Sequence, residues 1–316
     1  MGSPVHHGIP TVAMEKATET AALTAQRSRT AAWRAYYELT KPGITLMVVL
    51  STFAGYVLAL PEGLAALQSW ERLGHLLLTL LGTALVCGGS GALNHYVERE
   101  VDRRMSRTRG RPIASGQITP AAGLRYALGL TFAGLFVLLF INFLTLLLAT
   151  LTVVGYITVY TPMKQRTPAA LYMGAVPGAI PPAGGWIAAQ GSPEWGTLLV
   201  FLVLYCWQIP HFLALAYLYS KDYAQAGFRV AELGQGRKGA YWHALLASVA
   251  LLGSTLLLGW HSALGWAYTA GMLLLGLWLL VTALDFARRH STAAARRMLV
   301  SAYGYLVGFV VLSVLR

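Results

Sequence analysis

Asn94, Glu98 and Asp102 stand four residues apart in the run Asn94-His95-Tyr96-Val97-Glu98-Arg99-Glu100-Val101-Asp102. At 3.6 residues per helical turn a step of four drifts by only about 40°, so the three side chains share one face and Glu100 points away from it. Two carboxylates and an amide oxygen make a hard, oxygen-only set. That set suits Mg²⁺, which takes one or two carboxylates together with substrate phosphates, better than it suits a metal seeking thiolate or imidazole. Arg107, Arg109 and Arg111 follow directly, and guanidinium forks match phosphate oxygens. Acids followed by arginines suggest a diphosphate held through Mg²⁺. The same residues also suit a solvated helix end, with Glu98 and Asp102 paired to Arg99 and its neighbours, and spacing alone leaves both readings open.

A second group lies in Cys206-Trp207-Gln208-Ile209-Pro210-His211-Phe212. His211 falls eight residues before Tyr219, where a charged segment begins. At 1.5 Å per residue it sits about 12 Å inside an apolar run. An ionisable side chain there points to function. The competing reading is a neutral histidine bonded to a neighbouring helix. The segment Ser220-Lys221-Asp222-Tyr223 adds one more acid, or is an ordinary interfacial loop. Lys164 and Arg166, in Tyr160-Thr161-Pro162-Met163-Lys164-Gln165-Arg166, either close over a diphosphate or anchor a loop. Spacing does not decide.

The elements that must position these groups are apolar. Of 316 residues, 56% are hydrophobic and 11% charged, with a mean hydropathy of +0.56. Charged residues are under half of the share usual in soluble domains, which excludes a disordered, collagen-like or disulfide-built chain and points to an integral membrane protein. Cys87 and Cys206 both lie in apolar runs and suggest neither a disulfide framework nor a zinc site. A bilayer core needs roughly 20 apolar residues per helix. Nine such runs are expected, near 43–61, 73–95, 121–141, 142–160, 169–189, 196–218, 241–260, 264–284 and 297–315. The third and fourth meet in a tight turn at Ile141-Asn142. Pro177, Pro181 and Pro182 should kink or break the fifth. The glycines and other small residues between Gly82 and Ala92 read as helix packing, with pocket lining as the rival reading. Residues 1–32 form a polar extension with no apolar stretch of signal-peptide length, ahead of one nine-helix domain over 33–316.

All but three of the 24 Lys and Arg fall before the first run or after the second, fourth, sixth and eighth, leaving Arg72, Arg125 and Arg316. Positive loops mark the cytoplasmic side, so the N-terminus is expected inside and the C-terminus outside. The formal charge of +12 is spread over these short loops, which argues against nucleic acid as the partner.

Several segments together resemble the UbiA superfamily of intramembrane prenyltransferases. They are Leu39-Thr40-Lys41-Pro42, the run from Asn94 to Pro112, Tyr160-Thr161 with Lys164 and Arg166, Gly178-Ala179-Ile180-Pro181-Pro182, and Trp207 to Phe212 with Asp222-Tyr223. The Trp-Gln-x-Pro-His-Phe piece is similar to the haem-modifying branch rather than the quinone-making one. Glu98 and Glu100 stand where the superfamily commonly carries Asp, and its second acidic motif is reduced to Asp222.

The resemblance implies an all-α bundle of nine transmembrane helices around a central cavity open to the cytoplasmic side, in a bacterial or archaeal cytoplasmic membrane. It implies transfer of a farnesyl group from farnesyl diphosphate to the 2-vinyl group of haem b, with haem b as substrate and Mg²⁺ as cofactor. Metal ligands would be Asn94, Glu98 and Asp102, with Asp222 as a further candidate. The diphosphate would meet Arg107, Arg111, Lys164, Arg166 and Lys221, and the haem or prenyl chain would meet Tyr96, Trp207, Gln208 and Phe212. His211 would act on the haem side. Haem A synthase and the haem–copper oxidase assembly apparatus would be its partners. The rival readings are a related transferase acting on a quinone precursor or chlorin, and a multi-span haem transporter. Farnesyl diphosphate consumption and haem dependence separate the three.

Overall fold

The computed structural model describes residues 32–234 and 240–315. Expectations for Lys16, Arg27, Arg29, Arg237, Lys238 and Arg316, and for the polar segment up to residue 31, lie outside the described residues. The described residues are helical throughout their regular structure, without strands. A short helix over 32–39 leads to α1 (Pro42–Ala59), α2 (Trp70–Val97) and α3 (Pro120–Leu139). Next come α4 (Phe143–Val154, continued by a π turn over Gly155–Tyr160 and a last turn Thr161–Arg166), α5 (Ala170–Gln190) and α6 (Trp195–Leu218). The last three are α7 (Ala240–His261), α8 (Gly265–Arg289) and α9 (Thr292–Val314).

Local chemistry sets the boundaries. Pro42 and Pro120 occupy first turns, where their missing N–H costs nothing. The expected turn at Ile141-Asn142 is present. Asn142 Oδ1 accepts from Thr145 N at 2.8 Å and so caps α4. Gly191 ends α5 with φ 80°.

Eight of these helices are long and apolar enough to cross a membrane, among the described residues. The expected nine therefore reduces to eight by that measure, and the helix that fails it is α5. Its residues are largely Gly, Ala and Pro, and most are buried against protein, so it has little need of lipid-facing leucines. It is also unbroken over 21 residues despite its three prolines. Its small residues let neighbours approach. A Cβ on Gly185 would lie 2.2 Å from Thr52 O of α1, and one on Gly178 would meet Gln208 Oε1 of α6. Consecutive helices pack side by side, α5 also packs on α1, and α9 returns to α1 and α6. The loops that follow α2, α4 and α6 gather with the start of α1 at one end of the bundle.

Candidate active site

The α2 helix ends at Val97, but the i to i−4 ladder runs on. Glu98 N donates to Asn94 O at 2.9 Å and Asp102 N to Glu98 O at 2.8 Å. Asn94, Glu98 and Asp102 therefore stay on one face, as their spacing predicts, and all three are buried, at 1%, 6% and 0% exposure. Each meets a cation brought from a different part of the chain. Lys41 Nζ donates to Asn94 Oδ1 at 2.5 Å. Lys164 Nζ donates to Glu98 Oε1 at 2.7 Å. Arg111 donates to both Asp102 oxygens, at 2.7 and 2.8 Å. The solvated-helix-end reading fails here. Glu100 alone takes that role, exposed and paired with Arg103 at 2.7 Å.

Buried charges are expensive, and apolar side chains of like size would serve stability as well or better. Three cations facing two carboxylates and an amide at one end of an apolar bundle make an arrangement whose charge suits an anion. Burial and the neighbouring Arg111 push Lys41 down to about 7. Burial would raise Glu98, but Lys164 and Lys41 opposite it outweigh that and hold it below the ordinary carboxylate range. Asn94 Nδ2, a buried donor, has no partner among the described residues. With Lys41 fixing Oδ1, that N–H₂ is left to bind an acceptor brought by a ligand.

Backbone features hold the cations. Lys41 sits in the left-handed region, φ 49°, although it precedes proline. The corner it forms lies on glycines of α2, where a Cβ on Gly91 would stand 3.2 Å from Leu39 O and 3.4 Å from Lys41 Cγ. Lys164 follows the π turn of α4, a distortion frequent at functional sites. Its ammonium lies 4.5 Å from the centre of Tyr160 and 5.7 Å from that of Phe228.

The remaining sequence-predicted residues are dispersed. Arg107 lies over Tyr219 at 5.1 Å, and Arg166 and Lys221 are exposed. Tyr96 packs against the buried cluster that includes Leu39 and Ile113 and carries the Arg99 guanidinium on its ring at 4.7 Å; two residues from Glu98, it falls on the other side of the helix. Asp222 accepts from Ser106 Oγ. Gln208 donates to Ala175 O and Leu204 O, both at 3.0 Å, and so fastens α6 to α5. Trp207 donates to Ala302 O at 2.6 Å. His211 is buried and stacked on Trp207 at 5.1 Å, with Tyr303 edge-on and Phe212 beside it. Its Nδ1 has no partner among the described residues, so the competing reading, a bond to a neighbouring helix, is not met at that atom. Sequence reasoning did not name Lys41, Ser106 or Phe228 among the candidate site residues. Lys41 carried two signals: it stands in the Leu39-Thr40-Lys41-Pro42 segment of the resemblance and is the last charge before the first apolar run.

The UbiA prenyltransferase family matches residues 48–307. The chain is 36% identical over 278 residues to a Protoheme IX farnesyltransferase of Solibacter usitatus, covering 86% of this chain and 95% of that protein. It is 36% identical over 288 residues to one of Marinobacter nauticus, covering 90% and 93%. A solved digeranylgeranylglyceryl phosphate synthase has the same fold, with TM-score 0.73, 15% identity, and coverage of 90% of this chain and 100% of that one. So does a UbiA homolog from Archaeoglobus fulgidus bound to GPP and Mg²⁺, with TM-score 0.59, 16% identity, and coverage of 88% and 99%. The chain is thus an integral membrane protein, and it belongs to the UbiA prenyltransferase family.

Proposed function

We infer that this chain is a prenyltransferase that moves the farnesyl group of farnesyl diphosphate to the 2-vinyl group of haem b, giving haem O and diphosphate. The observation that carries this reading is the buried row Asn94, Glu98 and Asp102 with Lys41, Lys164 and Arg111 laid on it. The names of its relatives, Protoheme IX farnesyltransferase, supply the acceptor.

The donor chemistry fits Mg²⁺. Among the described residues no three His, Cys, Asp or Glu side chains are grouped to hold a metal by themselves. Two carboxylates are what Mg²⁺ ordinarily takes when substrate phosphates complete its shell. Glu98 and Asp102 would hold it, with Asn94 beside them. When bound, it would neutralise charge growing on the departing diphosphate.

The chain's own residues supply the rest. Lys41, Lys164 and Arg111 bind and orient the diphosphate oxygens, and their charges favour breaking the allylic C1–O bond. Asn94 Nδ2 donates to one of those oxygens. Tyr160 and Phe228, already against the Lys164 ammonium, offer π faces near the positive carbon that results. The buried setting keeps water from that carbon until the vinyl group of haem attacks it. The vinyl π pair bonds its terminal carbon to C1, water captures the cation left on the carbon next to the macrocycle, and that water gives up one proton to leave the hydroxyl. His211, held by Trp207 and Tyr303, is assigned to the haem side. The site end faces the cytoplasm in this reading, which the gathering of the positive loops at that end supports. The product then passes to haem A synthase and haem–copper oxidase assembly.

The test is to incubate purified protein with haem b, farnesyl diphosphate and Mg²⁺ and to look for the mass of hydroxyethylfarnesyl haem. Farnesylation of a quinone precursor in place of haem, or haem flux without diphosphate release, would refute it.

A further inference from the structure

Each member of the row already accepts a hydrogen bond from a cation of the chain. Asn94 Oδ1 accepts from Lys41, Glu98 Oε1 from Lys164, and both Asp102 oxygens from one nitrogen of Arg111, Nη1. Lys164 and Arg111 match the two carboxylates charge for charge. Both cations are themselves largely buried, with side chains 13% and 19% exposed. The donors left over suit negative charge: Asn94 Nδ2 has no partner among the described residues, and a guanidinium has further N–H groups beyond those on Nη1. A divalent cation arriving alone would have to expel two buried cations from their carboxylates and strand them, which is the costly way to break a buried pair. An anion meets no such obstacle.

From this geometry we propose that Lys164 and Arg111 stand in the metal's place on Glu98 and Asp102, so that the site takes a diphosphate before it takes a divalent cation. The proposal rests on the diphosphate site inferred above. Lys164 sets the order. Its flexible four-carbon stem lets the ammonium turn from Glu98 to an incoming phosphate oxygen, while the rings of Tyr160 and Phe228 lie beside it. Glu98 then regains a free negative charge, and that carboxylate with the phosphate oxygens is what Mg²⁺ takes. Bound to Glu98, Lys164 excludes the metal; bound to diphosphate, it admits it. The two ligands therefore help each other, and linkage makes the help equal in both directions.

The experiment measures binding rather than turnover, on unchanged protein, Lys164→Met and Glu98→Gln, all full-length in detergent. Equilibrium dialysis follows inorganic pyrophosphate in EDTA, Mn²⁺ alone, and Mn²⁺ with pyrophosphate present; Mn²⁺ replaces Mg²⁺ because paramagnetic resonance reads its free form. Unchanged protein is expected to retain pyrophosphate without metal, and to hold free Mn²⁺ at least about tenfold more weakly alone than with pyrophosphate. Lys164→Met is expected to move two affinities in opposite directions, with Mn²⁺ alone bound at least about tenfold more tightly and pyrophosphate alone at least about tenfold more weakly. General damage to the fold would weaken both. Glu98→Gln keeps shape and removes the competitor for Lys164, so pyrophosphate alone should bind at least about threefold more tightly, and this variant carries the test if Lys164→Met does not fold. Mn²⁺ alone bound within about twofold of its affinity with pyrophosphate, or pyrophosphate retained only when Mn²⁺ is present, would overturn the order and leave the diphosphate site standing. Both affinities lowered in Lys164→Met, or pyrophosphate bound no more tightly by Glu98→Gln, would overturn it too. Unchanged protein that retains neither ligand, alone or together, would overturn the diphosphate site itself and the order with it.

Discussion

The Lys41 ammonium and the Asn94 side-chain oxygen, 53 residues apart in the chain, lie 2.5 Å from each other beneath the loops at one end of the bundle. The contact fixes which way the amide faces and leaves its N–H₂ to a ligand. Lys41→Met removes a charged hydrogen bond of the kind worth about 1.5–3 kcal/mol, so kcat/KM for farnesyl diphosphate should fall about 10- to 100-fold. KM for haem should stay near its original value. Steady-state kinetics with each substrate varied in turn checks this.

Arg111 and Arg109 are two residues apart but differ in consequence. Arg111 holds both oxygens of a fully buried Asp102, whereas Arg109 is exposed. Arg111→Ala leaves a buried charge without its partner and should cost about 3–5 kcal/mol, while Arg109→Ala should stay within about 0.5 kcal/mol. Arg111→Lys should recover little, since an ammonium cannot reproduce the guanidinium fork. Thermal unfolding in detergent separates the three variants.

The helices were readable because the apolar runs and the caps act locally. The row of Asn94, Glu98 and Asp102 was readable for the same reason, since a four-residue step is a property of one helix. Of the cations, Arg111 and Lys164 were named from the sequence and Lys41 was not, and none of their partners was. Nothing in the sequence says that Lys41, Lys164 and Arg111 each take a different member of the row, because those pairs depend on how α1, α4 and the α2–α3 loop come together. Arg166 and Lys221 were equally plausible by type and lie exposed. All nine expected runs are helical, but α5 misses the apolarity of a membrane span, because apolarity measures contact with lipid and this helix, largely buried, is rich in Gly, Ala and Pro instead.

That account of α5 has its own test. The contact of Gly185 with the Thr52 carbonyl is backbone to backbone, with no flexible side chain to yield. Gly185→Ala should destabilise by at least about 1–3 kcal/mol, as overpacking does. Gly184→Ala, where nothing lies within 4 Å of the added carbon, should be nearly neutral. Unfolding midpoints of the pair in one detergent decide it.

His211 lies seven residues before the end of α6 at Leu218, and its ring touches Trp207, Phe212 and Tyr303. His211→Ala should therefore impair haem use at least about tenfold while farnesyl diphosphate binding changes less than about twofold. Equal losses on both substrates would remove His211 from the haem side.

The central claim is that Glu98 and Asp102 serve Mg²⁺ and diphosphate. The most direct measurement is the yield of farnesylated haem against Mg²⁺ concentration for unchanged protein and for Glu98→Gln and Asp102→Asn, variants that keep shape and lose charge. The account predicts yields at least about 100-fold lower in both, the scale of losing one charge-stabilising group, and a Mg²⁺ requirement shifted upward. Yields within about threefold of unchanged protein at the same Mg²⁺ concentration would contradict it.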